Sequence, residues 1–204
     1  MAFRNLDREW DEVLIIDLLS DDERKQHKIS ESARELLARH GVHQLQMSCS
    51  LKAHVFEALN LALARAGSKS FIIQFTAHGS KFGIGNREDI AILTWEELRS
   101  PLSKINHVLN GDLIVNMIAC NGIHGLKIDD LMDPASPFFA LIGPTRKLRF
   151  AEAREICLKF YTKLLAQPQI PLVIKEIIEE SNDATLWARS SQAIRDETMP
   201  IKQS

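Results

Sequence analysis

With 204 residues, 45% apolar and 25% charged, the chain has the makeup of a soluble globular protein with one sizeable core. Its formal charge of −2 gives no whole-protein attraction to nucleic acid or anionic membrane. The opening MAFRNLDREWDE is polar and acidic where a signal peptide needs an apolar stretch, and no run approaches the ~18 apolar residues of a membrane span.

Val13 to Leu19 (VLIIDLL) is a nearly continuous apolar run, as expected of a parallel strand covered on both faces. Ser20 to Lys28 reads as a charged loop. Ser32 and Glu35 have capping-box spacing for the helix that follows, and Gly41 supplies its C′ stop. Val42 to Cys49 alternates, with Leu45, Met47 and Cys49 against Gln44, Gln46 and Ser48, which predicts a half-buried strand near a sheet edge. Leu51, Val55, Leu59 and Leu63 recur every fourth residue and stripe a helix that Gly67 ends. Phe71 to Gly79 (FIIQFTAHG) is a second buried strand, closing on His78-Gly79. Lys81 to Leu93 carries Gly83, Gly85, Asn86 and Asp89 between short apolar pieces, which predicts a small β-hairpin on the rim. Its Gly83-Ile84-Gly85 is not a phosphate loop, because it opens no helix and no Lys-Ser/Thr follows.

Thr94 and Glu97 make a second capping box. Ser100-Pro101 is expected to start a new turn or helix, since proline does not sit easily deep inside one. Asn110-Gly111 turns the chain into Leu113 to Gly122 (LIVNMIACNG), an apolar strand that stops at Ala119-Cys120-Asn121-Gly122. A long loop, Asn121 to Pro137, carries Asp129, Asp130 and Asp133, and Phe138 to Gly143 is another short buried strand. Ile156, Phe160 and Leu164 stripe a helix from Phe150 to Ala166, which Gln167 to Pro171 breaks. Leu172, Ile174, Ile177 and Ile178 mark a last helix, and the polar tail from Arg195 is expected to be loose. Five strands alternating with helices predict one α/β domain over residues 1–204, its mainly parallel sheet covered by helices on both faces. Chemistry in such sheets collects at the carboxyl ends of the strands, where both His78 and Cys120 lie.

The cysteines, Cys49, Cys120 and Cys157, are an odd and sparse set, which argues against a disulfide framework and for a reducing, cytosolic setting. The thiolate is the nucleophilic form, and a histidine held nearby takes the thiol proton and later returns it to the leaving amine. Cys49 and Cys157 fall within apolar stripes and read as core packing. The Cys-x-Gly turn at Cys120 and the matching His78-Gly79 are not explained by packing. His27, His40, His43, His54 and His107 read as structural, and His124 as part of a surface loop. No pair of Cys or His residues has zinc-site spacing, so no metal and no cofactor is expected.

At these residues the chain resembles the caspase-like cysteine peptidases, and most of all their CHAT branch, a bacterial group linked to tetratricopeptide repeats. The resemblance runs from Val13 to Ile178 and rests on the apolar strand ending in His78-Gly79 and the one ending in Ala119-Cys120-Asn121-Gly122. His78 precedes Cys120 by 42 residues, near the spacing of about 50 that accompanies the caspase signature Gln-Ala-Cys-(Arg/Gln/Gly)-Gly. Weaker parts are the helix start Ile92-Leu93-Thr94-Trp95-Glu96-Glu97-Leu98 and Phe160-Tyr161. The resemblance implies a caspase-hemoglobinase-like three-layer sandwich, Cys120 as nucleophile, His78 as general base and acid, and an oxyanion hole from the backbone N–H groups of Gly79 and Cys120. It implies no obligatory third residue. A glycine at 79 fits, because a substrate carbonyl can then approach the backbone closely.

Ile118 stands where caspases carry glutamine, and Asn121 where they carry Arg, Gln or Gly, so the caspase preference for aspartate does not transfer. The chain holds no tetratricopeptide repeat, so a regulatory protein partner is expected to be a separate molecule. The resemblance further implies a cytoplasmic endopeptidase acting on a protein substrate in bacterial antiviral defence or cell-death circuits, with no direct contact to nucleic acid or membrane. Two other readings stand beside it. One is a catalytically idle adaptor, or pseudoprotease, of the same fold, against which the intact His78, Gly79 and Cys120 count. The other is a flavodoxin-like ligand binder, against which the acidic Ser20-Asp21-Asp22-Glu23 counts, since it repels phosphate. For P1, the substrate residue before the scissile bond, Asp21, Asp22, Asp129, Asp130 and Asp133 outnumber Arg146, Lys147 and Arg149 near the strand tips. Asp22, Asp129 and Asp130 are thus candidate substrate-binding residues, and a basic P1 is expected, with an acidic one as the alternative.

Overall fold

In the computed structural model, which describes residues 10–66, 71–87, 92–128, 136–167, 173, 176 and 187–190, the first apolar run becomes β1 (Glu12–Asp17), buried throughout. It lies between β2 (His43–Ser48) and β3 (Phe71–Gly79), parallel to both. β3 pairs in parallel with β6 (Ile114–Ala119), and β6 with β7 (Ala140–Gly143). The order is β2-β1-β3-β6-β7-β8, where β8 (Trp187–Ser190) is an antiparallel edge strand that the sequence reading did not anticipate. The alternating strand β2 does sit at the other edge. The expected rim hairpin is β4 (Gly83–Gly85) with β5 (Leu93–Thr94), hung from the end of β3.

Strand parity divides the core into two layers. Leu14, Ile16, Ile73, Phe75, Val115 and Met117 pack against α3 (Lys52–Ala66) and α4 (Trp95–Val108). Val13, Ile15, Ile72, Ile114 and Ile118 pack against α2 (Ile29–Arg39) and α5 (Phe150–Ala166). The result is a three-layer α/β sandwich with a mainly parallel sheet, and His78 and Cys120 lie at the carboxyl ends of its strands. Among the described residues no helix is long and apolar enough to cross a membrane.

Several local expectations change. Ser20 to Lys28 is not a loop but holds the short helix α1 (Asp21–His27), capped by a reciprocal Ser20–Glu23 box. The Ser32–Glu35 box does not form, because Lys28 adopts φ 51° and α2 begins at Ile29, leaving Ser32 buried inside it. Gly41 does close α2: with φ 67° its N–H donates to Ala38 O (3.0 Å), and Val42 N–H donates to Leu37 O (3.0 Å), a Schellman motif. Leu51 precedes α3 and is exposed, and the buried stripe is instead Val55, Ala58, Leu59, Ala62 and Ala66. Pro101 lies inside a single continuous α4. It removes one backbone donor, while burial of Leu98, Leu102 and Ile105 holds the turns on either side. The long loop after Cys120 starts as a 3-10 helix, Gly122–Ile128. Gly67, Asp89, Asp129, Asp130, Asp133, Leu172, Ile174, Ile177, Ile178 and the tail from Arg195 lie outside the described residues.

Candidate active site

His78 and Cys120 reach the same place by register. β3 and β6 pair in parallel from Ile72↔Ile114 through Thr76↔Ile118 to Ala77↔Ala119. One step further sets His78 opposite Cys120, and parity sends both side chains to the α2/α5 face, the face on which Ile118 packs. Both line a cavity of about 130 Å³ at the carboxyl rim, together with Gly79. Beneath it the same face carries a buried polar ladder. Ser30 and Gln74 both bond the Thr76 hydroxyl (3.0 and 2.9 Å), and Cys157 donates to Gln74 Oε1 (3.3 Å).

The Cys120 thiol is partly exposed, unlike Cys49 and Cys157, which are buried. Burial pushes the Cys49 thiol up to about 11 and the Cys157 thiol up to about 12, so both stay protonated and inert at neutral pH. Sγ of Cys120 accepts the Leu148 N–H at 3.3 Å, a donor supplied by the segment after β7. Asn121, at φ 55°, then turns the chain away, its N–H donating to Arg146 O (3.0 Å). Asparagine is among the few side chains that tolerate that backbone.

His78 is held by a residue the sequence reading passed over. Its Nε2 lies 2.8 Å from Oε1 of Glu23, the N3 residue of α1. The other carboxylate oxygen accepts the N-cap Ser20 N–H (3.0 Å) and its hydroxyl (2.7 Å), so the carboxylate is fixed before it meets the ring. Partial burial pulls the Glu23 carboxyl up, but bonds from Ser20 and His78 outweigh it and hold its pKa below the ordinary carboxylate value. An ionised Glu23 keeps a proton on Nε2 and leaves Nδ1 as the acceptor nitrogen. Phe150 fits between two histidines, stacked on His27 (3.8 Å) and edge-on to His78 (5.7 Å). The signal that locates Glu23 is the Ser-x-x-Glu spacing at Ser20.

Gly79 carries a tighter constraint than substrate access. A Cβ there would stand 2.1 Å from the Cys120 carbonyl oxygen. Its N–H is oriented by the hairpin: Ser80 N–H donates to Gly83 O (2.9 Å), so the next pair, Gly79↔Ile84, makes no cross-strand bonds and the Gly79 N–H turns away from β4. Asp22 is exposed on the first turn of α1 and is not among the cavity's lining residues, while Asp129 and Asp130 lie outside the described residues. Among the described residues no cluster of His, Cys, Asp or Glu has the makings of a metal site.

No protein-family model matches the chain, and no curated protein does. Among solved structures it superposes on the complex of Porphyromonas gingivalis RgpB pro- and mature domains, with a TM-score of 0.50 and 12% sequence identity. The match covers 91% of this chain and 49% of that one, so the chain spans about half the length of the solved relative. At that identity the likeness establishes the fold alone: a caspase-like three-layer α/β sandwich.

Proposed function

We propose that the chain is a cysteine endopeptidase in which Cys120 is the nucleophile and His78 the general base and acid. The observation that carries this reading is the β3–β6 register, which brings an imidazole and a partly exposed thiol to one cavity at the carboxyl rim. Glu23 would hold Nε2–H, so that Nδ1 takes the thiol proton, and the Leu148 N–H would steady the resulting thiolate. The thiolate adds to the scissile carbonyl, and the backbone N–H groups of Gly79 and Cys120 receive the oxyanion. The imidazolium then protonates the departing amine, and water hydrolyses the thioester. The CHAT resemblance adds a regulatory protein partner and a role in a bacterial defence or cell-death circuit.

A catalytically idle adaptor draws on one observation: among the described residues no hydrogen bond joins His78 to Cys120, each being bonded elsewhere. Dyad geometry often tightens only with substrate bound. The experiment is cleavage of a fluorogenic peptide library, with and without the neighbouring gene products, by the wild-type chain and by Cys120→Ala and His78→Ala. Either substitution should abolish cleavage with the circular dichroism spectrum unchanged. Iodoacetamide at neutral pH should label Cys120 and spare Cys49 and Cys157. Wild-type rates in Cys120→Ala would end the peptidase reading.

A further inference from the structure

The cavity beside Cys120 has a composition that speaks to its occupant. Its walls are Leu19, Ile29, Ile118, Leu148, Phe150 and Ala153, drawn from the segment after β1, from α2, from β6, from the segment after β7 and from the start of α5. Thr76 adds a hydroxyl already bonded to Ser30 and Gln74. Apart from His78 the one ionisable group among the described lining residues, other than the Cys120 thiol, is Lys147, which is exposed. Asp17, the nearest buried carboxylate in sequence, is 2% exposed, accepts the Leu19 N–H at 3.0 Å, and does not line the cavity. A cavity of roughly 150 Å³ lined by aliphatic and aromatic side chains holds a ring as large as benzene. At about 130 Å³ this one suits a leucine or methionine side chain.

We propose that this cavity receives the P1 side chain and selects an uncharged aliphatic residue of leucine or methionine size. The inference rests on the peptidase reading, since it is the approach of a scissile carbonyl to Cys120 that delivers the preceding side chain here. An arginine or lysine would lose its hydration among aliphatic walls with no carboxylate among the described lining residues, and would share the cavity with the like charge of Lys147. An aspartate would find one cation, the exposed Lys147, and otherwise lose its hydration among aliphatic walls. This proposal favours a neutral P1 over the basic one expected from Asp22, which does not line the cavity, and from Asp129 and Asp130, which lie outside the described residues.

Two assays test this together. In the first, fluorogenic tetrapeptides that differ only at P1 are cleaved by the wild-type chain. Leu and Met should exceed Arg, Lys and Asp in kcat/KM by roughly tenfold or more. In the second, the same peptides are titrated calorimetrically into Cys120→Ala, which needs no chemistry. If no peptide is cleaved but Leu peptides still bind best, the pocket assignment stands and the catalytic reading falls. Preference for Arg, Lys or Asp in either assay, or no P1 discrimination in both, overturns the proposal. Ala153→Leu, which narrows the cavity from the first turn of α5, should move the optimum from Leu towards Ala. Ile118→Ala, which widens it from β6, should move it towards Phe. Unchanged profiles in both folded variants also overturn it.

Discussion

α1 and α4 both start on a hydroxyl N-cap followed three residues later by glutamate. In each, Oε2 of the glutamate accepts the N-cap N–H and hydroxyl, at 3.0 and 2.7 Å for Ser20–Glu23 and at 2.9 and 3.1 Å for Thr94–Glu97. Oε1 is left over. On α4 it meets the Lys52 ammonium at 2.6 Å on the surface, and that bond, with the Thr94 N–H, lowers the Glu97 pKa. On α1 it meets, at 2.8 Å, the ring of His78, which itself lines the cavity. The helices differ in what they bury: α4 carries Trp95, Leu98, Leu102 and Ile105 in the core, whereas α1 buries nothing. A capping-box carboxylate is thus a pre-ordered acceptor, and its task is set by whichever cation or ring stands across from it.

The difference is open to breakage, most sharply at the two glutamates. Glu23→Gln should lower kcat for peptide cleavage by about tenfold or more with little change in KM, the size of effect seen when a histidine loses its orienting carboxylate. Glu97→Gln should leave cleavage alone, and equal losses in the two variants would sink the distinction. Acid adds a second reading. The folded Glu23 pKa is depressed, so its stabilisation is full above the ordinary carboxylate range and disappears as pH falls through the depressed one. Amide-exchange protection of α1 in wild type and Glu23→Gln should therefore differ at pH 7 and converge on acidification.

The caps come next in size. Thr94→Ala should cost about 1 kcal/mol in global stability without touching cleavage, because α4 is part of the core. Ser20→Ala should do the reverse: cleavage falls, by less than in Glu23→Gln, while the urea midpoint barely moves, because α1 can fray without exposing apolar surface. The smallest effect belongs to Glu97→Gln itself. Its melting temperature should drop slightly at low salt and match wild type at high salt, since an exposed pair with lysine is screened.

These contrasts also mark what was readable from residues alone. β1, β3, β6 and β7 were legible because strands buried on both faces are apolar almost without interruption, and such runs have few other uses. α5 was legible because Ile156, Phe160 and Leu164 keep a helical period. α1 was not, for the physical reason just given: a helix that buries no side chain leaves no apolar period to find, and only its cap betrays it. Pro101 misled in the opposite direction, since local propensity favours a break that tertiary burial of its neighbours overrides. For the candidate site, His78 and Cys120 stood out as strand-end residues. Glu23, the Leu148 N–H and the aliphatic cavity came from segments that meet only once the sheet is assembled.

The contact between the two strand tips bears on how such a chain drifts over generations. With 2.1 Å between the place of a Cβ on residue 79 and the Cys120 carbonyl oxygen, any side chain there must push the neighbouring backbone aside. Folding alone is then reason enough to retain glycine, whether or not a peptide is ever cut. A descendant that lost its chemistry would shed the imidazole or the thiol first and keep Gly79 unchanged. Glycine at this position would therefore report on the fold, and the side chains on either side of the seam, His78 and Cys120, would be the ones to report on catalysis.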